Sequence, residues 1–333
     1  MSLLRYTVNR LLQTIPVVIG LAILTFLLVN SMPGNPVDIM LAQTEASPEL
    51  IERLEQRYGL DRPIHERFVT YAEGLVQGDL GHSIYYDQAV TTKIAERMPV
   101  TILLVISSFT FAILTAIPLG VIAAKRRNKP TDHISRILAL VGVSTPSFWI
   151  GLVLIIVFAY HLGWFPSSGL YLPWRGPEYY RDINSWPHLL AKSVHHLIMP
   201  TVSLGTLYMA TIMRIERAEM VNTLQSEYIK LARAYGVSES RIMRKHAFRV
   251  SQLPVVTIIG LNFTTALGGA VLTETVFSIN GMGRLIITAI RNLDYQLVLG
   301  TTIVFGLIFV IGVIITDLSY AYIDPRVSYG EEV

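Results

Sequence analysis

Six stretches of the chain contain no Asp, Glu, Lys or Arg over a length that suits a bilayer crossing: Leu11–Ser31, Met98–Ala124, Ile137–Leu162, Leu197–Met213, Pro254–Thr273 and Leu297–Thr316. A helix needs about 20 predominantly apolar residues to cross roughly 30 Å of hydrocarbon, so each stretch predicts one span. Leu197–Met213 is short for this and predicts a helix that runs on past Arg214. Pro16, Pro118 and Pro146 fall inside the windows. They do not exclude spans, because neighbouring helices can satisfy freed backbone groups. The first window follows Arg5 and Arg10 in the manner of a signal peptide, but it exceeds the usual h-region and no A-x-A-like site follows, which predicts a retained span.

The polar segments between the windows are patterned. In the first, Met32–Arg97, Ser47-Pro48-Glu49 offers a hydroxyl cap and a first-turn proline, and Ile51, Leu54 and Tyr58 lie on one stripe before Gly59. A small helical cap follows from this. The segment Trp164–Lys192 is rich in Pro, Gly, Trp and Tyr, which suits either a headgroup-level aromatic belt or ligand contact. Between the fourth and fifth windows, Tyr228, Leu231, Ala232 and Tyr235 recur at helical spacing until Gly236. Ser238 is placed to cap a second helix, with Ile242, Met243, His246, Ala247 and Val250 opposite Arg241, Arg244, Lys245 and Arg249. Two short amphipathic helices meeting at a glycine have three readings: an arm for a soluble partner, a loop resting on anionic lipid, or a DNA-binding helix-turn-helix. Tethering to spans at both ends disfavours the last.

Composition narrows the class. Apolar residues make up 52% and charged residues 15% of the 333, with a mean hydropathy of +0.48, well outside the soluble balance of roughly 25% charged. Six spans leave no room for a separate catalytic domain of ordinary size. A net charge of +3 gives no ground for a nucleic-acid partner, and the absence of Cys removes thiol nucleophiles and thiolate metal sites. The placement of charge carries more information. Lys125, Arg126, Arg127, Lys129 and Arg136 fill the second-to-third connection, and Arg214, Arg217, Lys230, Arg233, Arg241, Arg244, Lys245 and Arg249 the fourth-to-fifth. The positive-inside rule puts both in the cytoplasm, with both chain termini, although Arg326 is the only basic residue of the C-terminal tail.

The run Glu227 to Gly236, continuing through Arg244-Lys245-His246-Ala247 to Leu253-Pro254-Val255-Val256-Thr257, closely resembles the cytoplasmic coupling loop of ABC-transporter permeases of the oligopeptide, dipeptide and nickel class. Further stretches match in order: Met32-Pro33-Gly34-Asn35-Pro36, Tyr58-Gly59-Leu60-Asp61-Arg62-Pro63, Gln77-Gly78-Asp79-Leu80-Gly81, Pro146-Ser147-Phe148-Trp149, Leu162-Gly163-Trp164-Phe165-Pro166, Thr273-Glu274-Thr275-Val276-Phe277-Ser278, Gly281-Met282-Gly283-Arg284 and Asp324-Pro325-Arg326. Three departures stand out. Lys230-Leu231-Ala232 occupies the place of the superfamily's Glu-Ala-Ala, Asn35 stands where Asp is frequent, and Ser278-Ile279-Asn280 where a Trp-Pro pair is usual.

The resemblance implies an all-α type I importer permease with six transmembrane helices, resident in the inner membrane. It also implies a heterodimer with a second permease, two cytoplasmic ATPases that use ATP and Mg, and an extracytoplasmic binding protein that delivers di- or oligopeptides, nickel complexes, glutathione or oligosaccharides. The ATPase-coupling residues carried over are Glu227, Tyr228, Lys230, Ala232, Arg233, Ala234, Gly236, Ser238, Arg241, Arg244 and Lys245. The chain has no G-x-x-x-x-G-K-[ST] phosphate loop, so ATP falls to other chains; no cofactor or metal is expected on this one. The organisation expected is an N-terminal segment and first span (1–31), an outer helical cap (32–97), a core of five spans containing the coupling loop 214–253 (98–326), and a tail (327–333).

No charged residue falls within the six windows, which favours a pathway driven from outside the bilayer over a proton relay. Pathway candidates are Pro146, Phe148 and Trp149 on the third span, Asn262 on the fifth and Glu274 at its outer end; each also has a structural reading, packing or a span-terminal bond. A rival class, an intramembrane hydrolase, would pair Ser144 with His195 or His196, but these fall at opposite ends of their spans. The adjacent histidines point apart on a helix and make a poor metal site. A simple channel or scaffold lacks any filter loop.

Overall fold

The computed structural model describes residues 3–32, Val37 and residues 48–323. The Pro33-Gly34-Asn35-Pro36 stretch, the Ser47 cap, the Asp324-Pro325-Arg326 motif and the 327–333 tail lie outside the described residues. Helices follow one another as α1 (Leu3–Asn30), α2 (Pro48–Tyr58) and α3 (Ile64–Val76), then a two-residue hairpin, β1 (His82–Ser83) and β2 (Gln88–Ala89), then α4 (Val90–Lys125) and α5 (Pro130–Ser144). Next come α6 (Ser147–Leu154), prolonged by a π-helical stretch Ile155–His161, and α7 (Trp186–Leu224). After them stand α8 (Glu227–Ala234), α9 (Glu239–Arg241), a π-helical turn Ile242–Ala247, α10 (Phe248–Gly269), α11 (Val271–Val276), α12 (Met282–Arg291) and α13 (Tyr295–Ile323).

Four of these helices are long and apolar enough to cross a membrane (α1, α4, α7 and α13), and the α5–α6 pair makes a fifth if taken as one broken span. Two expectations change here. The window Ile137–Leu162 is not one straight helix, because α5 and α6 are bent by 101°. The cause is Pro146, which forces Thr145 into extended backbone (φ −94°, ψ 124°) and cannot donate a helical N–H. Pro16, by contrast, is carried within α1. The window Pro254–Thr273 ends at Gly269 and resumes as α11. The described part of α10 falls short of the hydropathy of the other spans because it includes Arg249, Gln252 and Asn262.

The described residues divide into two compact units, one formed by those up to Thr101 with Asn280–Ile311, and one by Ile102–Ile279 with those from Gly312 onward. In the first, Phe26, Val29, Tyr71, Ile94, Leu285 and Leu297 form a buried apolar core, with Phe26 stacked on Tyr71 at 5.7 Å. The fully buried Asp294 ties this unit together. Its carboxylate accepts hydrogen bonds from the Leu297 N–H at 3.2 Å, from Ser83 Oγ at 2.5 Å and from the Tyr85 N–H at 3.1 Å. The first caps α13 and the others fasten the hairpin.

In the second unit α7 is the spine. Three of its contacts follow the antiparallel α5–α6 pair as far as the start of α6: Arg217 bonds Asp132, Ala210 faces Gly142, and Ser203 Oγ donates to the Ser147 carbonyl; beyond the pair, Ser193 Oγ donates to the Tyr171 carbonyl. From Arg217 to Ser203 is about 21 Å of helix, along which α5 and the start of α6 stay beside α7. Elsewhere α10 and α13 approach through a reciprocal pair of small residues: a Cβ on Gly260 would lie 2.6 Å from Thr316 Oγ1, and one on Gly312 would lie 2.4 Å from Thr264 Oγ1. Both threonines return their hydroxyls to the carbonyl four residues back, so neither hydroxyl is left unmatched at this close crossing.

Candidate functional site

The segment from Ser226 to Arg249 folds as the sequence suggests, as two short helices about a glycine. α8 ends in a Schellman motif: the Val237 N–H bonds the Ala232 carbonyl at 3.1 Å and the Gly236 N–H bonds the Arg233 carbonyl at 2.9 Å. The motif requires left-handed backbone at Gly236, which has φ +76°. Open space surrounds the position where its Cβ would be, so backbone conformation rather than crowding demands glycine. Ser238 takes the N-cap backbone position but makes no side-chain cap, so its expected capping hydroxyl is absent.

One face of the arm is buried and the other open. Ile229, Ile242 and Ala247 are fully buried. Ala247 packs with Met220 of α7 and Ala124 of α4, flanked by Val121, Leu224, Met243 and Phe248, so the arm sits on the ends of two long helices. The stripe of Tyr228, Leu231 and Tyr235 points outward, with exposures of 44%, 57% and 80%. Val250, expected on the apolar face, is exposed instead, because the π-helical turn over 242–247 shifts the register of the second helix.

The charges on the open face are organised. Lys230 pairs with Glu227 at 2.6 Å, and Arg233 Nε pairs with Glu239 at 2.7 Å, bridging α8 to α9 across the glycine. The Arg233 hydrogen bond holds the Glu239 carboxyl below the usual range. Arg244 donates to Ser240 Oγ at 2.9 Å. Arg241 and Lys245 are exposed and make no ion pair among the described residues, while Ala232 and Ala234 leave low relief beside the tyrosines.

Behind the arm lies a polar layer that the sequence reading missed. Asp132 of α5, fully buried, takes a two-pronged bond from Arg217 of α7, Nε at 2.5 Å and Nη2 at 2.7 Å, and a third from the Asn128 N–H at 2.9 Å. One residue away, Glu216 is fully buried against Gly120 of α4, with its Oε2 bonded to Gln252 of α10 at 2.8 Å and its Oε1 without a partner among the described residues. The six windows contained no charge only because the fourth ended at Met213. A signal existed: Met213, Glu216, Met220 and Thr223 fall at helical spacing on one buried stripe, with an acid at a core position.

The other candidates scatter. Pro146 sits at the α5–α6 bend, Trp149 is 54% exposed and Phe148 is half-buried. Glu274 is fully buried in α11, which packs on α6, so no open face presents it to a solute. Asn262 of α10 has a buried Nδ2 with no partner among the described residues. His195 and His196 bond the carbonyls of Trp164 at 2.8 Å and Gly169 at 3.3 Å, which occupies them in holding the 164–171 segment. In that segment Tyr171 donates to Asp182 at 2.7 Å, lowering the carboxyl's proton affinity, while Trp164, Trp174, Tyr179 and Trp186 stay exposed.

Long apolar helices, with a two-faced arm packed on the ends of two of them, are features that a membrane transport subunit would need. Residues 116–329 match the family described as binding-protein-dependent transport system inner membrane component, and residues 3–104 match the N-terminal part of the same membrane component. The chain belongs to this family. It is 39% identical to the dipeptide transport system permease protein DppB of Alkalihalophilus pseudofirmus, over 98% of this chain and 100% of that one. It is 34% identical to the oligopeptide transport system permease protein AppB of Bacillus subtilis, over 97% and 99%, and 36% identical to the glutathione transport system permease protein GsiC of Escherichia coli K12, over 98% and 100%.

Proposed function

We propose that this chain is one permease of a heterodimeric pair that imports di- or oligopeptides handed over by an extracytoplasmic binding protein, and that 227–249 is its coupling arm. The observation that carries the reading is the arm's two-sidedness: Ile229, Ile242 and Ala247 anchor it, while Tyr228, Leu231 and Tyr235 remain bare. Exposed aromatic and aliphatic side chains rimmed by charge are the composition of an interface core. Two ATPase subunits, using ATP and Mg, would grip that stripe from the cytoplasm, with the exposed Arg241, Arg244 and Lys245 at the rim meeting acidic groups.

The basic connections at 125–136 and 214–253 support a cytoplasmic arm and cytoplasmic termini. The peptide class is supported by the names of the DppB and AppB relatives, and glutathione, itself a peptide, by that of GsiC. Closure of the ATPase pair would pull the arm, and because the arm is packed on α4 and α7 the pull reaches those helices directly. Movement between inward-facing and outward-facing packings needs contacts that differ in the two states, which a rigid arm transmits and a slack one does not.

The test is reconstitution of the full assembly in vesicles, with ATP hydrolysis and labelled dipeptide uptake measured together. Gly236→Val strains the left-handed turn by about 1–2 kcal/mol and should leave ATPase activity while uptake falls. Unchanged uptake by a stably incorporated Gly236→Val protein would reject the arm's role.

A further inference from the structure

Between α5 and α7 lies a cavity of about 390 Å³ whose chemistry changes along the helix axis. At the end next to the Lys125–Lys129 connection it is lined by His133 and Arg136 of α5 and by Arg214 and Arg217 of α7; deeper in, by Ile137, Leu140 and Val143 of α5 with Met213 of α7. No acid is among the described lining residues. Asp132 is bonded by Arg217 and lies close enough to Arg136 to feel its charge, so one carboxylate is shared among three arginines and the groove keeps a positive surplus at Arg136 and Arg214.

We infer that this groove binds an anionic phospholipid, with the phosphodiester between Arg136 and Arg214 and an acyl chain against Ile137, Leu140 and Val143. Three observations favour a lipid. The cationic end lies at the helix ends and the apolar end lies towards the middle of the spans, the same order in which a lipid presents head and chain. Ile137 and Leu140 are 61% and 67% exposed, so the apolar floor opens sideways where chains lie. Two arginines lining one groove suit a phosphate, and basic pockets between transmembrane helices take anionic headgroups for this reason. A soluble anion would need the two arginines but not the apolar floor.

The site also touches the machinery. Arg217, on the wall of the groove, is held by Asp132, and Asp132 links α5 to the end of α7 that supports the arm. An occupied groove would therefore brace the α5–α7 junction.

The experiment is native mass spectrometry of the purified full transporter, stripped of lipid and titrated with dioleoyl-phosphatidylglycerol or dioleoyl-phosphatidylcholine. One phosphatidylglycerol should bind at least about tenfold more tightly than phosphatidylcholine, given roughly 1 kcal/mol per basic residue near an anionic headgroup. Arg136→Gln with Arg214→Gln should abolish that preference, Arg136→Lys with Arg214→Lys should keep most of it, and Arg126→Gln with Arg127→Gln, outside the groove, should leave it intact. Equal loss in the Arg126/Arg127 control would overturn the site in favour of diffuse surface charge. Full displacement by millimolar inorganic phosphate would overturn it in favour of a free anion. Quantitative cross-linking of Leu140→Cys to the second permease with lipid present would overturn it by showing that protein fills the groove.

Discussion

Arg217→Met is the substitution whose consequence the structure constrains most tightly. In the native chain the Asp132 carboxylate is fully buried and receives three hydrogen bonds, two of them from Arg217. Removing the guanidinium leaves a buried carboxylate with the Asn128 N–H as its one hydrogen bond among the described residues, and Arg136 as a neighbouring charge. Breaking a buried pair from one side costs about 3–5 kcal/mol, and the 20% exposure of the Arg217 side chain lets water soften the loss, so about 3 kcal/mol is expected. For a chain of this size each kcal/mol moves the unfolding midpoint by roughly 2 °C, which puts the single variant about 6 °C below wild type. The double variant Asp132→Leu with Arg217→Met removes both charges and should recover most of that loss, because the desolvation penalty disappears with the charge. Thermal unfolding of the four proteins of this cycle, in one detergent at one protein concentration, reads the coupling directly. A single variant that melts with wild type, or a double variant that melts as low as the single, would refute the reasoning. The cause would then be surface-like screening of the pair.

Two further outcomes are expected. Tyr71, buried in the first unit, has a hydroxyl with no partner among the described residues, and burial pushes its phenol up to about 12. Against an unfolded value of about 10, the fold keeps this contribution in full below pH 10 and loses about 2 kcal/mol of stability as pH rises towards 12. Denaturant titrations at pH 9 and 11.5 should show Tyr71→Phe losing less than wild type, and at pH 7 the variant should be no less stable, since it deletes an unsatisfied polar group. Gly312→Val drives a branched side chain into Thr264 at the α10–α13 crossing, where a Cβ alone would already stand at 2.4 Å. Overpacking of about 2–3 kcal/mol is expected there, and Thr264→Ala in the same chain should relieve part of it in a thermal melt.

Much of this chain could be read directly from the order of its residues. The charge-free windows give the long helices because a bilayer admits a hydrophobic stretch only when its backbone bonds close within it. The arm was equally legible, since Gly236 after Tyr228, Leu231 and Ala232 states both where α8 ends and how. The limits of local reading show at Pro146. Whether a proline in an apolar run bends a helix by a few degrees or by 101° depends on what its neighbours offer, and here α7 supplies Ser203 to the Ser147 carbonyl beyond the break. A hydroxyl cap on Ser238 likewise looked sound locally and did not form.

What the sequence determined alone was the periodic part: which segments are helices, which ends carry positive charge, and where the turn of the arm must be glycine. Those properties follow from hydrophobicity and backbone sterics, which act between near neighbours. Only the tertiary structure decided that Asp132 meets Arg217 across 85 positions, that Glu216 is buried against Gly120 beside Gln252, and that Arg136 and Arg214 open onto one groove. Pairing of this kind is set by how helices pack, and a residue's own neighbours carry no record of which distant partner will neutralise it.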